Sequence, residues 1–95
     1  MNAKFEWDES NKHKSLLKHG ITNQEAETAF DDPQKIILYD EKHSDMEDRY
    51  ICIGKSEPGN ILYTAFTFRN GKIRIISTRQ CHFQNPLAKK YSIGV

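Results

Sequence analysis

The sequence predicts an α+β fold, two helices packed on an antiparallel sheet, and three observations carry that prediction. A β-rich stretch from Ile61 to Arg79 is split by Asn70-Gly71, the dipeptide that suits a two-residue type I′ turn because both turn residues need φ > 0. Two shorter β-rich runs, Lys35 to Tyr39 and Arg49 to Lys55, precede it, so the sheet has neighbours to pair with. Upstream of all of these lie two segments with helix caps and no period-two alternation. The expected order is β-α-α-β-β-β-β, with both helices on the oily face of the sheet and a basic face left open.

Taken in order, Lys4 to Trp7 is a short apolar-aromatic run that reads as a first strand, and Asp8 is placed to cap a helix over Glu9 to His19. Leu16 and Leu17, with His13 one turn earlier, give that helix a narrow apolar stripe, and Gly20 fits the left-handed position that closes it. Thr22-Asn23-Gln24-Glu25 then reads as a capping box, with Ile21 and Ala26 as a hydrophobic staple. This second helix buries Ala26, Ala29 and Phe30 and stops at Asp31-Asp32-Pro33, since the residue before proline is pushed out of the α region. Asp40 to Asp48 is polar and reads as an exposed loop. Ser56 to Asn60 reads as a turn, and Pro86 to Tyr91 as a short C-terminal helix with proline in its first turn.

The hairpin turn specifies a register in which Arg69 opposes Lys72, Phe68 opposes Ile73, Thr67 opposes Arg74 and Phe66 opposes Ile75. Alternation then places Leu62, Thr64, Phe66, Phe68, Ile73, Ile75 and Ser77 on the oily face, and Tyr63, Thr67, Arg69, Lys72 and Arg74 on the basic one. Arg79 breaks the pattern. Strict alternation puts it on the oily face, so either a bulge re-aims it or it sits at the sheet rim against an acid.

At 95 residues and 37% hydrophobic, the chain is expected to form one domain, residues 1–95, with a modest core that needs neither disulfide nor metal. The N-terminal residues lack an apolar signal core and no run approaches the roughly 18 apolar residues of a membrane span, so a cytoplasmic location and no membrane partner are expected. Cys52 and Cys81 form no C-x-x-C pair and read as thiols. The net charge of +1 hides a polarity: residues 1–48 hold 6 lysines and 12 acids, a net of −6, and residues 49–95 hold 8 Lys or Arg and one acid, a net of +7. All four arginines lie in the basic half, where clustered guanidinium groups suit phosphates through paired hydrogen bonds. A solvated sheet face is the plainer alternative.

The histidines and cysteines show no zinc-like spacing, and no phosphate-binding glycine loop or activated serine or cysteine motif is present. A basic face with Arg, Lys and Tyr remains, which fits binding or metal-free cleavage of a phosphodiester.

Five short motifs then point to a family. Phe5-Glu6-Trp7-Asp8, Lys18-His19-Gly20 before the helix ending Asp31-Asp32-Pro33, Glu47-x-Arg49 with Ile53-Gly54, Thr67-x-Arg69, and Arg74-Ile75-Ile76-Ser77-x-Arg79 follow one another in an order and spacing that resembles the BrnT-type toxins. The resemblance implies a RelE-like ribonuclease fold and a bacterial type II toxin that cleaves RNA, inhibiting translation and growth; from the residues themselves no metal or other cofactor is expected. It also implies neutralisation by a BrnA-like ribbon-helix-helix antitoxin, through which alone DNA is met. With it, Arg49, Arg74 and Arg79 are expected to stabilise charge on the reacting phosphate, while Glu47, His19 or Tyr63 carries protons; Arg69, Lys72 and Tyr63 are expected to contact RNA. For Glu47 a salt bridge is the simpler role, and for His19 helix capping. The alternative function is a non-catalytic RNA- or antitoxin-binding module of the same fold.

Overall fold

The computed structural model describes residues 4–81 together with Pro86, Lys89 and Tyr91. Two helices, α1 (Lys14–His19) and α2 (Asn23–Ala29), precede four strands, β1 (Ile36–Tyr39), β2 (Tyr50–Lys55), β3 (Ile61–Arg69) and β4 (Lys72–Gln80). The strands form one antiparallel meander in the order β1-β2-β3-β4. The expected leading strand contracts to a single parallel bridge between Phe5 and Ile73, in which Glu6 N–H donates to Ile73 O and Ile73 N–H to Lys4 O, each at 2.8 Å.

Asn70 and Gly71 adopt φ of 55° and 76°, as a type I′ turn demands, and the four pairs nearest the turn have the expected register. Beyond Phe66 the ladder slips by one. Ala65 faces Ser77, so Ile75 and Ile76 together oppose Phe66 in a β-bulge. Every later β4 side chain therefore changes face: Thr78 pairs with Thr64 in the core, and Arg79 pairs with Tyr63 on the opposite side.

On the helical side, Ile21, Ala26, Ala29 and Phe30 pack against Cys52, Leu62, Phe66 and Ile75. The Phe30 ring stands edge-on to Phe5 and Phe66, with centroids at 5.3 and 5.1 Å. Gly54 lets β2 approach the end of α2, since a Cβ there would meet Ala29 O at 2.4 Å and Ala29 C at 3.2 Å. The second face is not open across its width, contrary to expectation. β2 is a central strand with an unbroken apolar run, which needs cover on both sides, and Ile51, Ile53, Cys81 and Tyr91 form a second core there. Pro86, Lys89 and Tyr91 are helical, in line with the expected C-terminal helix, whose remaining residues lie outside those described. Tyr91 OH donates to Asp32 at 2.5 Å.

The first helix is shorter than expected because the residues after Asp8 are used elsewhere. Asn11 is buried, and its side-chain amide donates to Ile75 O at 2.9 Å and Glu6 O at 3.2 Å while its oxygen accepts Asp8 N–H. That holds residues 9–13 in turns, and α1 begins at Lys14. Nor does its apolar stripe pack, since Leu16 and Leu17 are 48% and 84% exposed. The helix docks instead through buried Ser15, whose hydroxyl accepts Thr78 N–H at 2.8 Å on the edge of β4. Gly20 closes it with φ 71°. In α2, Thr22 Oγ1 accepts Glu25 N–H at 3.0 Å. Half of the expected capping box forms, because the Glu25 carboxylate turns to Ser56 and Asn60.

The N-terminal segment is also clamped electrostatically. Arg74, expected on an open face, is buried: it donates to both Asp8 carboxylate oxygens at 2.8 and 3.0 Å, to Glu6 at 3.0 Å and to the Ser10 hydroxyl. Parallel pairing of Phe5 with Ile73 brings Glu6 alongside Arg74, a juxtaposition no local pattern announces. The Arg74 guanidinium, then the Ser10 hydroxyl and N–H, hold the Asp8 carboxyl far below its ordinary value of 3.8.

Two outcomes are expected. Gly54→Ala forces backbone apart at the α2 terminus and lowers stability by about 1–3 kcal/mol in denaturant titration. Because the folded-state value of Asp8 is depressed, its contribution is complete above about pH 4 and is lost as pH falls through the folded value. Asp8→Asn is therefore expected to destabilise at neutral pH and to converge with the wild type in acid, as followed by thermal melts against pH.

Candidate active site

A cleft of about 440 Å³ opens on the second face of the sheet, beside the core covered by Tyr91. Its floor is made by β2, β3 and β4 through Ile51, Tyr63, Ala65, Ile76, Ser77 and Arg79. Lys14, Lys18 and His19 of α1 form one side, and Asp40, His43 and Arg49 from the β1–β2 connection form the other.

Each wall has a local cause. Lys14 and Lys18 are four residues apart on α1 and so share a helix face, and the Ser15–Thr78 hydrogen bond fixes that face beside the end of β4. Opposite, Ser44 closes the 40–49 connection: its hydroxyl donates to Asp40 O at 2.6 Å and accepts Arg49 N–H at 2.9 Å. Asp40 N–H donates to Arg49 O at 2.8 Å. A one-turn 3₁₀ helix, Glu41–His43, then places the His43 Nδ1 3.0–3.1 Å from both Asp40 carboxylate oxygens. On the floor, the bulge sets the Arg79 guanidinium over the Tyr63 ring, 4.7 Å from its centroid.

Of the residues expected from sequence, the cleft brings together His19, Arg49, Tyr63 and Arg79. The bulge alternative for Arg79 is the one realised. Arg74 is elsewhere, sealed under Glu6 and Asp8. Arg69 and Lys72 flank the hairpin turn, where Arg69 meets Glu47 at 3.4 Å. Glu47 thus pairs with Arg69 and not with its near neighbour Arg49, and it lines a separate depression of about 250 Å³ that shares His43 and Arg49 with the cleft. Sequence reasoning passed over Lys14, Lys18, Asp40, His43 and Ser77. The i, i+4 lysines and the Asp40-x-x-His43 spacing were the signals available for four of them.

The electrostatics sort the arginines into two pairs. Arg69 and Arg74 have carboxylate partners, whereas Arg49 and Arg79 have none among the described residues, and both line the cleft. Four cations, Lys14, Lys18, Arg49 and Arg79, therefore line the cleft against one carboxylate, Asp40, which is turned to His43. Guanidinium groups so placed bind phosphate oxygens and stabilise added negative charge on them. Cys52 offers no nucleophile, since burial pushes its thiol up to about 12. Among the described residues no group of three or more His, Cys, Asp or Glu is suited to a metal ion, and no helix is long and apolar enough to cross a membrane.

No curated protein matches the chain in sequence. The family model for the BrnT ribonuclease toxin of type II toxin-antitoxin systems does, over residues 7–84. That span takes in both helices, all four strands and every wall of the cleft. The chain belongs to the BrnT family of type II toxin-antitoxin ribonuclease toxins.

Proposed function

We propose that this protein is a cytoplasmic, metal-independent endoribonuclease that cleaves RNA in the cleft between α1 and the β1–β2 connection, and so inhibits translation and growth. The contrast among the four arginines carries this reading: two are neutralised by Glu6, Asp8 and Glu47, and the two without acidic partners among the described residues face one cleft. The α-α-β-β-β-β order is also what supports a RelE-like relationship.

In this reading the ribose 2′-oxygen attacks the adjacent phosphorus, a nucleophile only RNA supplies. A bond forms from O2′ to phosphorus and the bond to O5′ breaks, leaving a 2′,3′-cyclic phosphate and a 5′-hydroxyl. Arg49 and Arg79 hold the non-bridging oxygens as negative charge builds on them. Lys14 and Lys18 draw in the flanking phosphates. Tyr63, beneath Arg79, steadies the guanidinium and offers a ring on which a base can stack. His19 supplies the proton that the departing O5′ requires.

The antitoxin is proposed to be of the BrnA-like ribbon-helix-helix type and to carry all of the DNA binding. An acidic or amphipathic segment of it is expected over Arg69 and Lys72. Arg74, expected from sequence on the same basic face as these two, lies under Glu6 and Asp8 and is not available to it.

Purified toxin incubated with RNA in excess EDTA is expected to yield 2′,3′-cyclic phosphate ends. Arg49→Ala and Arg79→Ala should each slow cleavage by about 10²–10³-fold, the loss typical of removing one donor to a developing anion, with antitoxin capture unchanged. RNA left intact by the wild type under these conditions would sink the enzyme reading. Lys72→Glu is expected to slow antitoxin association and flatten its salt dependence in stopped-flow binding, with a smaller effect on dissociation.

A further inference from the structure

We infer that His43, held by Asp40, is the base that takes the 2′-hydroxyl proton. The assignment rests on the ribonuclease reading above and adds to it a residue that neither the sequence motifs nor the arginine pairing identifies.

The geometry begins with the imidazole. His43 Nδ1 lies 3.1 and 3.0 Å from the two carboxylate oxygens of Asp40. An ionised carboxylate only accepts hydrogen bonds, so Nδ1 carries the hydrogen and Nε2 of the neutral ring keeps its lone pair. The His43 side chain is 58% exposed while that of Asp40 is 17% exposed, an arrangement in which the orienting group is sheltered and the oriented ring meets solvent. Asp40 is tied at its backbone, whose N–H donates to Arg49 O and whose carbonyl accepts the Ser44 hydroxyl, which in turn accepts Arg49 N–H. His43, Asp40, Ser44 and Arg49 are thus one hydrogen-bonded unit, joining a proton acceptor to a phosphate-binding guanidinium.

His19 is the contrasting case. Among the described residues its ring makes no side-chain hydrogen bond, and none of them selects its tautomer or orientation. A base must present one particular nitrogen, whereas an imidazolium donates from either. The oriented ring therefore suits the base and the unoriented one the acid. In the complete step the 2′-hydroxyl proton passes to His43 Nε2 as O2′ bonds to phosphorus, and His19 gives a proton to O5′ as the P–O5′ bond breaks. The two histidines end with exchanged protonation states and recover through water. His43 is then a catalytic residue and Asp40 a positioning residue.

The decisive experiment compares cleavage of a short single-stranded RNA by the wild type, His43→Ala and Asp40→Asn, with and without added imidazole, after circular dichroism confirms the fold of each. His43→Ala is expected to lose about 100-fold or more in kcat, the lower range for a general base, and imidazole should restore part of the rate because the vacated site is open to solvent. Asp40→Asn is expected to lower kcat without raising KM, since it misdirects the ring and removes only a negative charge from the cleft wall. A His43→Ala protein that cleaves at the wild-type rate, or one whose loss imidazole leaves untouched, overturns the assignment while leaving the ribonuclease reading in place. Wild-type protein that leaves the RNA intact overturns both.

Discussion

The extra residue in β4 governs the rest of the structure, because side chains alternate along a strand and a single insertion exchanges the two faces beyond it. Before the bulge, Phe66 and Ile75 meet under the helices; after it, Thr64 and Thr78 fill that side and Tyr63 and Arg79 share the other. Without the insertion Arg79 would enter the apolar layer with Leu62 and Phe66, where an unpaired guanidinium is very costly. Thr78 also carries the backbone N–H that anchors Ser15. The position of α1, and hence of Lys14, Lys18 and His19, follows from the same shift.

The charge polarity of the chain acquires a structural meaning. Part of the acidic half exists to neutralise cations that serve the fold: Glu6 and Asp8 fold across Arg74 and fasten the N-terminal segment to β4, while Glu47 meets Arg69 at the hairpin. The exposed Arg69–Glu47 contact contributes little to stability. The Arg74 cluster is sheltered, with side-chain exposure of 10%, and acts with the Phe5–Ile73 bridge and the Asn11 amide to give the N-terminal segment one register. After these pairings, Arg49 and Arg79 are left without acidic partners among the described residues, in a cleft that also holds Lys14 and Lys18. A nearly neutral protein thereby presents a local field suited to a polyanion.

Local chemistry was readable from sequence where it acts over a few residues. Asn70-Gly71, Thr22 and Gly20 each perform the turn or cap their side chains favour. The bulge left a fainter trace, two successive isoleucines that interrupt period two, and it was legible only as one way to account for Arg79. The misplacement of Arg74 has a different origin: its partners are 66 and 68 residues away and arrive through a parallel contact that no alternation pattern encodes. Helix α1 was over-extended because Asn11 and Asp8 bond more profitably to β4 and Arg74 than to a helix end. His43 was hidden in a polar loop whose shape depends on the Ser44 clasp, a side-chain contact and not a propensity.

The decisive measurement is an NMR titration of the isotope-labelled protein with a short RNA whose 2′-hydroxyls are methylated, so that it binds without being cleaved. Binding in the cleft predicts shifts centred on Lys14, Lys18, His43, Arg49, Tyr63 and Arg79, with the signals of Asn70 and Gly71 unmoved. Shifts centred instead on Arg69, Asn70 and Lys72 at the hairpin end, with the cleft silent, would contradict the placement of the active site.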